Sequence, residues 1–215
     1  MSAPLTILVI IVTSYLLGAI PVAYLIARFN SVNIFEVGSG NMGTTNVIRA
    51  VGPVMGILVL VLDALKGVVA ILLARWLWSD APDIASVIAA VISIVGHNWS
   101  VFAWMVTGKL RGGKGAATAF GTFATIAPWW LVVGSVGIGI IVLIRTRYMS
   151  LGVLVIVSIA APGLVLLSFI NIPWESLTRV HLFYSLGLTS LIFYRFRENI
   201  ARLRAGNERR VGESA

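Results

Sequence analysis

The sequence contains no cysteine, and only 11% of its 215 residues carry a charge. The absence of cysteine excludes disulfide bonds, thiol catalysis and cysteine-ligated metals. Soluble domains are about one quarter charged, whereas 59% of this chain is hydrophobic. The composition therefore predicts an integral membrane protein whose apolar faces are solvated by lipid.

Acidic residues are also scarce: 8 Asp and Glu stand against 16 Lys and Arg, a formal charge of +8. A nucleic-acid-binding protein spreads such an excess over a polar face, with aromatic side chains between the cations. Here the basic residues occupy short polar segments and the end of the chain, which is typical of cytoplasmic membrane loops. We therefore expect membrane lipid, and not nucleic acid, as the partner of this charge.

Apolar stretches with few or no charges occur at residues 5–27, 54–74, 84–108, 116–144, 151–174 and 180–194. A bilayer crossing takes about 20 residues, so most of these stretches cross once. The first has no basic residue before it and no small-residue cleavage site after it, which predicts a retained span and not a signal peptide. The fourth is too long for one upright helix, and Pro128-Trp129-Trp130 near its middle predicts a break that makes it a hairpin.

With two spans in that hairpin, the basic segments all face one side of the membrane: residues 28–49, 109–114, 145–147 and 195–210. The positive-inside rule puts that side in the cytoplasm, the amino terminus outside and the carboxyl terminus inside. The outer interface then carries an aromatic belt of Trp76, Trp78, Trp129, Trp130 and Trp174. We predict an all-α integral membrane bundle of about seven transmembrane helices, with short or broken helices lining a cytoplasmic-side cavity. It forms a single multi-pass domain over residues 1–215, in which residues 196–215 are a basic cytoplasmic tail.

A polar, glycine-rich run at residues 38–49 separates the first two stretches. Gly38, Gly40 and Gly43 match G-x-G-x-x-G, but a dinucleotide fold needs a strand before that pattern, and here membrane helices flank it. The glycines still let a ligand approach the backbone, and Arg49 adds a guanidinium suited to phosphate. The side chains that can hydrogen-bond a ligand are Ser39, Asn41, Thr44, Thr45 and Asn46. The structural alternative is a solvated loop with helix caps.

A second glycine-rich run, Gly112-Gly113-Lys114-Gly115, precedes another apolar stretch. With Gly108 it nearly completes a P-loop, but Gly115 stands where Ser or Thr would hold magnesium, so we do not expect a nucleotide triphosphatase. The turn leads into a helix start at Ala116, where unpaired amides and the positive dipole end favour an anion. The alternative is an ordinary positive-inside loop. The two runs together indicate phosphate binding at a membrane surface.

Two charged residues and two histidines lie inside apolar stretches. Asp63 and Lys66 are three residues apart and share one helix face, so they form either a structural ion pair or a substrate contact, and both remain open. His97 could donate to phosphate or act as a base, or it could be a hydrogen-bonded packing residue. His181 has no polar neighbours in sequence and lies near the predicted outer face.

Taken in chain order, these motifs resemble the acyl-phosphate:glycerol-3-phosphate acyltransferase family, known as PlsY. The resemblance rests on Gly38-Ser39-Gly40-Asn41 through Arg49, Asp63-x-x-Lys66-Gly67, Gly96-His97, Gly112-Gly113-Lys114-Gly115 and Arg197-Glu198-Asn199. It implies a bacterial seven-span enzyme of the inner (plasma) membrane that moves a fatty acyl group from acyl phosphate to the sn-1 hydroxyl of glycerol-3-phosphate. The products are lysophosphatidic acid and phosphate, and no metal, nucleotide, acyl-CoA or other cofactor is expected. We expect a monomer.

The resemblance also implies roles for individual residues. The expected catalytic residues are Ser39, Arg49, Lys114, Asn199 and His97, the last as an alternative to a substrate phosphate oxygen as proton acceptor. The expected substrate-binding residues are Gly38, Gly40, Asn41, Gly43, Asn46, Lys66, Gly112, Gly113, Gly115 and Ser150. This chain departs from the family at Phe196, where the family usually has His, and at Ser100, where it usually has Pro.

Two other functions remain open on the sequence. A transporter or flippase for a phosphorylated solute or lipid would also use broken helices and intramembrane charges, and it would move substrate without covalent change. A catalytically weakened paralogue is suggested by Phe196 alone.

Overall fold

The computed structural model describes residues 2–170 and 177–212, and in this part of the chain every regular element is a helix. Eleven helices are present there: α1 (Ala3–Ala19), α2 (Val22–Phe29), α3 (Thr44–Ala50), α4 (Pro53–Leu77), α5 (Pro82–Asn98), α6 (Val101–Thr107), α7 (Ala116–Ile126), α8 (Trp129–Thr146), α9 (Met149–Leu167), α10 (His181–Arg195) and α11 (Arg197–Arg204). The all-helical prediction is confirmed. Trp174 and the end of the predicted stretch 151–174 lie outside the described residues.

Four helical segments of the described chain are long and apolar enough to cross a membrane: Ala3–Phe29, which joins α1 and α2, Pro53–Leu77, Trp129–Thr146 and Met149–Leu167. The helices Pro82–Asn98 and Ala116–Ile126 are apolar but shorter. The count of about seven spans and the orientation of the termini stay predictions.

The chain divides into two compact units, which meet in sequence between Thr122 and Phe123, within α7. We call them the first unit, described from residue 2 to 122, and the second unit, described over residues 123–170 and 177–212. The single-domain organisation stays a prediction.

In the first unit, α1 packs against α5 through small residues. A Cβ atom on Gly18 would overlap the backbone of Ser93, and one on Gly96 would overlap the carbonyl of Tyr15. Small residues at such positions let helix backbones approach closely, which is how membrane helices pack without a hydrophobic driving force between them. The Tyr15 hydroxyl also donates to the Trp99 carbonyl over 2.8 Å, which ties α1 to the end of α5.

Two predicted continuous stretches in the first unit are broken helices. Pro21 separates α1 from α2, because proline lacks the amide N–H that would continue the helix. Residues 84–108 divide into α5 and α6 at Trp99 and Ser100. The Ser100 hydroxyl accepts the Ala103 amide at the start of α6 and donates to the Ala19 carbonyl at the end of α1. The sequence predicted short or broken helices without locating these two breaks, and both breaks lie beside the candidate site.

In the second unit, α8 packs on α9 where a Cβ on Gly139 would overlap Ile156. The predicted break at Pro128 is confirmed, since α7 ends at Ile126 and α8 begins at Trp129. The last segment divides into α10 and α11 at Phe196, whose side chain is buried.

Candidate anion site and a buried polar cluster

The first glycine-rich run begins with a loop at residues 38–43, which we call the first loop. Buried Asn46, in the first turn of α3, holds it in place. The Asn46 side-chain nitrogen donates to the carbonyls of Ile34, Val37 and Asn41 at 3.1–3.2 Å. Its Oδ1 accepts the Ser39 amide at 3.0 Å. Asn46 was predicted to bind substrate, and its printed hydrogen bonds all go to the backbone around the first loop.

Gly38 and Gly40 are required by the conformation of this loop. Their φ angles are +59° and +63°, which is the left-handed region that favours glycine. A Cβ on Gly38 would also overlap the side-chain oxygen Oδ1 of Asn46. The loop leaves the Ser39 side chain exposed and leads into α3, where Arg49 is half-buried in the last turn. Both predicted substrate contacts are therefore at least partly accessible.

The second glycine-rich run, residues 112–115, which we call the second loop, lies on the end of α5. The Gly113 amide donates to the His97 carbonyl at 3.2 Å. A Cβ on Gly112 would overlap the backbone carbonyl of His97, and one on Gly113 would overlap the His97 ring. Gly115 has φ +77° and precedes α7, which begins at Ala116 as predicted.

The two loops meet within the first unit. A Cβ on Gly113 would also overlap the Met42 carbonyl oxygen, so the backbones of the two loops are in contact there. Arg111, directly before the second loop, places its guanidinium 4.0 Å from the centroid of the Phe35 ring. Phe35 in turn stacks on Tyr24 with ring centroids 5.5 Å apart. The sequence placed these loops on one membrane face, and the structure brings them together.

A buried ionic group lies under this contact. Lys66 Nζ is 2.9 Å from Asp63 Oδ1 and donates to the Ile20 carbonyl at 3.1 Å. His97 Nδ1 lies 3.7 Å from the same carboxylate oxygen. All three side chains are at most 6% exposed. The structure therefore contains the predicted ion pair, and the Lys66 ammonium contacts Asp63 and Ile20.

The second unit contains a different polar cluster around Glu208, a residue that the sequence analysis missed. Its carboxylate accepts from Ser150 Oγ at 3.0 Å, Asn199 Nδ2 at 2.6 Å and Arg202 Nε at 2.8 Å. The Glu208 side chain is 7% exposed. The structure thus brings Ser150 and Asn199 together through Glu208, and their predicted placement beside the two loops stays a prediction. The only sign of Glu208 in the sequence was that it is an acidic residue in an arginine-rich tail.

The described end of the chain folds back onto the corner between α8 and α9. The Val211 amide donates to the Arg147 carbonyl at 2.8 Å, and Arg147 Nη2 donates to the Val211 carbonyl at 2.7 Å. Arg210 also places its guanidinium 5.6 Å from the centroid of the Tyr148 ring. The predicted basic tail is therefore packed against the second unit over its described part.

We expect Glu208→Gln to destabilise the second unit, because the substitution weakens three hydrogen bonds to a buried carboxylate and leaves an amide hydrogen among donors. The expected loss is about 1–3 kcal/mol in the free energy of unfolding. Thermal unfolding of the purified protein in detergent measures it. Glu198→Gln is the matched control, since Glu198 is exposed on α11. Equal midpoints for the two variants would contradict this account of Glu208.

The first unit contains the groups that the sequence predicts to bind phosphate. Two glycine-rich loops, the ammonium of Lys114 and the guanidinium of Arg49 belong to one compact unit, and such groups are ordinary ligands of phosphate. Among residues 2–170 and 177–212, no group of three or more His, Asp or Glu residues could hold a metal ion.

The fold is that of an all-helical integral membrane protein in which two glycine-rich loops meet. The chain belongs to the glycerol-3-phosphate acyltransferase family, whose sequence profile matches residues 8–206. It is 40% identical over 207 residues to a glycerol-3-phosphate acyltransferase of Anaeromyxobacter sp. (strain Fw109-5), covering 95% of this chain and 96% of that protein. It is 39% identical over 210 residues to glycerol-3-phosphate acyltransferase 2 of Moorella thermoacetica, covering 96% and 98%.

Solved structures agree with this assignment. The fold is similar to the crystal structure of PlsY, an integral membrane glycerol 3-phosphate acyltransferase, in its glycerol 3-phosphate form. The TM-score is 0.82 at 33% sequence identity, and the match covers 96% of each chain. The lysophosphatidic acid form of PlsY matches with a TM-score of 0.80 at 32% identity, over 95% of this chain and 94% of that one.

Proposed function

We propose that this protein transfers a fatty acyl group from acyl phosphate to the sn-1 hydroxyl of glycerol-3-phosphate, giving lysophosphatidic acid and phosphate. The observation that carries the proposal is the contact between the two glycine-rich loops at Gly113 and Met42. The first loop leads into the helix that carries Arg49, and the second loop contains Lys114. These two cations suit a reaction that brings together two phosphate-bearing substrates. The names of the similar proteins support glycerol-3-phosphate as the acceptor.

The chemistry asks little of the protein beyond orientation and electrostatics. The acceptor hydroxyl oxygen attacks the acyl carbonyl carbon, and the bond from that carbon to the phosphate oxygen breaks. Phosphate leaves with the electron pair, and the hydroxyl proton passes to a phosphate oxygen or, alternatively, to His97. Acyl phosphate is an activated mixed anhydride, so aligning the hydroxyl and stabilising the developing negative charge supply most of the catalysis.

We assign the roles as follows. Lys114 binds a substrate phosphate and stabilises the developing negative charge, and Gly112, Gly113 and Gly115 let the substrate approach the second loop. Arg49 and Ser39 bind a substrate phosphate from the first loop. Asn199 and Ser150 are further polar residues assigned to substrate, and both side chains contact Glu208. Gly38, Gly40, Asn41 and Gly43 let the substrate approach the first loop. Of the other residues predicted to bind substrate, Asn46 holds the first loop in shape and Lys66 contacts Asp63 and Ile20.

The proposal includes an arrangement in the membrane. The protein crosses a bacterial plasma membrane about seven times, with the amino terminus outside and the carboxyl terminus in the cytoplasm. The acyl chain enters from lipid, and glycerol-3-phosphate arrives from the cytoplasm. The protein acts as a monomer.

The test is product formation by purified protein in lipid bilayers. The protein receives labelled glycerol-3-phosphate with either palmitoyl phosphate or palmitoyl-CoA, and acylation at the sn-1 position is determined in the product. We expect lysophosphatidic acid from palmitoyl phosphate only. Product from palmitoyl-CoA alone, or none from either donor in folded protein, would overturn the proposed reaction. Uptake of unchanged label into sealed vesicles would favour a transporter.

Phe196→His tests whether the chain is a weakened relative. Phe196 is 5% exposed between α10 and α11. We expect no increase in turnover and a lower unfolding midpoint, because the substitution would place a polar imidazole at a buried position. Steady-state kinetics and thermal unfolding measure both, with Phe196→Leu as the apolar control. A large gain in turnover would instead identify this chain as a catalytically weakened paralogue.

A further inference from the structure

Asp63 has no role in the proposed reaction, although it lies in the middle of an apolar helix and is 2% exposed. We propose that Asp63 and His97 are a pair of positioning residues that hold the second loop in its binding conformation, with Lys66 fixing the pair to the break between α1 and α2. This inference rests on the proposed function in one respect, the assignment of the second loop to substrate phosphate.

Asp63 lies beside one edge of the His97 ring. Asp63 Oδ1 lies 3.7 Å from His97 Nδ1, which is close enough for an ion pair with a protonated imidazole and too far for a direct hydrogen bond. The opposite edge of the ring faces the second loop, since a Cβ on Gly113 would overlap Nε2 and approach Cε1. The ring therefore stands between the carboxylate on α4 and the backbone of Gly113. A partner on one nitrogen fixes which edge of a histidine faces the other way.

His97 in turn contacts the backbone of the second loop. The His97 carbonyl accepts the Gly113 amide, and a Cβ on Gly112 would overlap that same carbonyl. His97 thus contacts the loop through both its backbone and its ring. A shift of His97 would move Gly113, and with it the neighbouring Lys114 ammonium assigned to phosphate.

Lys66 connects Asp63 to the break between α1 and α2. Lys66 Nζ bridges the Asp63 carboxylate and the Ile20 carbonyl, so one side chain of α4 contacts the end of α1. The same small depression is lined by Met42 of the first loop and by residues 20–23 at the helix break. The ionic group therefore contacts the helix break and the second loop, and it lines the same depression as Met42 of the first loop.

Stability alone does not explain why the charges of Asp63 and Lys66 are buried. Taking two charges out of water costs free energy that their attraction often fails to recover, and apolar residues in place of a buried pair are often neutral or stabilising. An apolar span has no need of a carboxylate for packing. The contacts above give the charges a specific task, which is to orient His97 under the second loop.

A positioning role and a base role for His97 predict different kinetics. A base acts on the reacting proton, so its loss lowers kcat and leaves the KM values unchanged. A positioning residue acts through the phosphate-binding loop, so its loss raises the KM for a phosphate substrate more than it lowers kcat.

The experiment combines kinetics with amide hydrogen exchange on full-length protein in lipid. The variants are His97→Gln, Asp63→Asn and the charge-free double variant Asp63→Leu/Lys66→Met, which avoids an unpaired buried lysine. Asp80→Asn is the matched control, because Asp80 is exposed. We expect faster exchange at residues 112–115 in the three variants and a rise in the KM of at least one phosphate substrate of roughly tenfold to a hundredfold.

Exchange reports the loop without requiring turnover, which separates this inference from the proposed reaction. Faster loop exchange in a protein that forms no lysophosphatidic acid would support the positioning pair and contradict the proposed reaction. Unchanged exchange at residues 112–115 in folded His97→Gln would overturn the positioning pair. A loss confined to kcat in that variant would also overturn it, in favour of His97 as the base.

Discussion

Lys114→Ala is expected to lower the rate of acyl transfer by on the order of a hundredfold, corresponding to about 2–4 kcal/mol of transition-state stabilisation. Lys114 follows Gly113, whose backbone is fixed against α5 and the first loop. Its ammonium is therefore carried by a rigid segment, and a preorganised cation stabilises developing negative charge without reorganising during the reaction. Initial rates with saturating palmitoyl phosphate and glycerol-3-phosphate measure the effect.

Lys109→Ala is the matched control for this variant. Lys109 is exposed and lies five positions before Lys114 in the same polar segment, so its removal changes the net charge equally. We expect turnover close to that of the unaltered protein. If Lys114→Ala and Lys109→Ala had equal turnover, the second loop could not be the phosphate site.

Gly113→Ala is expected to abolish most activity by displacing the second loop. The substitution changes no charge and no hydrogen-bonding side chain. The added Cβ atom would overlap both the His97 ring and the Met42 carbonyl oxygen. The second loop must therefore move away from α5 and from the first loop. A displacement of about 1 Å in a catalytic segment can reduce the rate on the order of a hundredfold.

Gly134→Ala controls for the general effect of an added methyl group. Nothing lies within 4 Å of the Cβ position at Gly134, and alanine is a better helix former than glycine. We expect this variant to retain activity and stability. Kinetics and thermal unfolding should separate the two variants, and wild-type activity in Gly113→Ala would refute the loop contact at the centre of this account.

The sequence revealed the two loops because their chemistry is local. Glycines next to a cation, in a chain with so few polar residues, indicate an anion site without any knowledge of the fold. The start of α7 and the break at Pro128 were likewise predictable, because proline and helix-start geometry act over a few residues. The pairing of Asp63 with Lys66 followed from helical spacing alone.

Contacts between distant segments could not be predicted in this way. Nothing near Glu208 in sequence marks it as the acceptor for Ser150, which lies 58 residues away. The contact of Gly113 with Met42 likewise depends on how α5 and the first loop are placed. Phe196 divides α10 from α11, although neither proline nor glycine marks that break. These features come from tertiary packing, which overrides local propensity.

The most direct test of the central claim is equilibrium binding of labelled glycerol-3-phosphate to the purified protein in lipid, because it reports the site without requiring a donor. We predict saturable binding by the unaltered protein and by Lys109→Ala, and binding at least about tenfold weaker in Lys114→Ala, since a lost charge-assisted hydrogen bond costs roughly 1.5–3 kcal/mol. Equal affinity in all three proteins would contradict the assignment of the two loops as the substrate phosphate site.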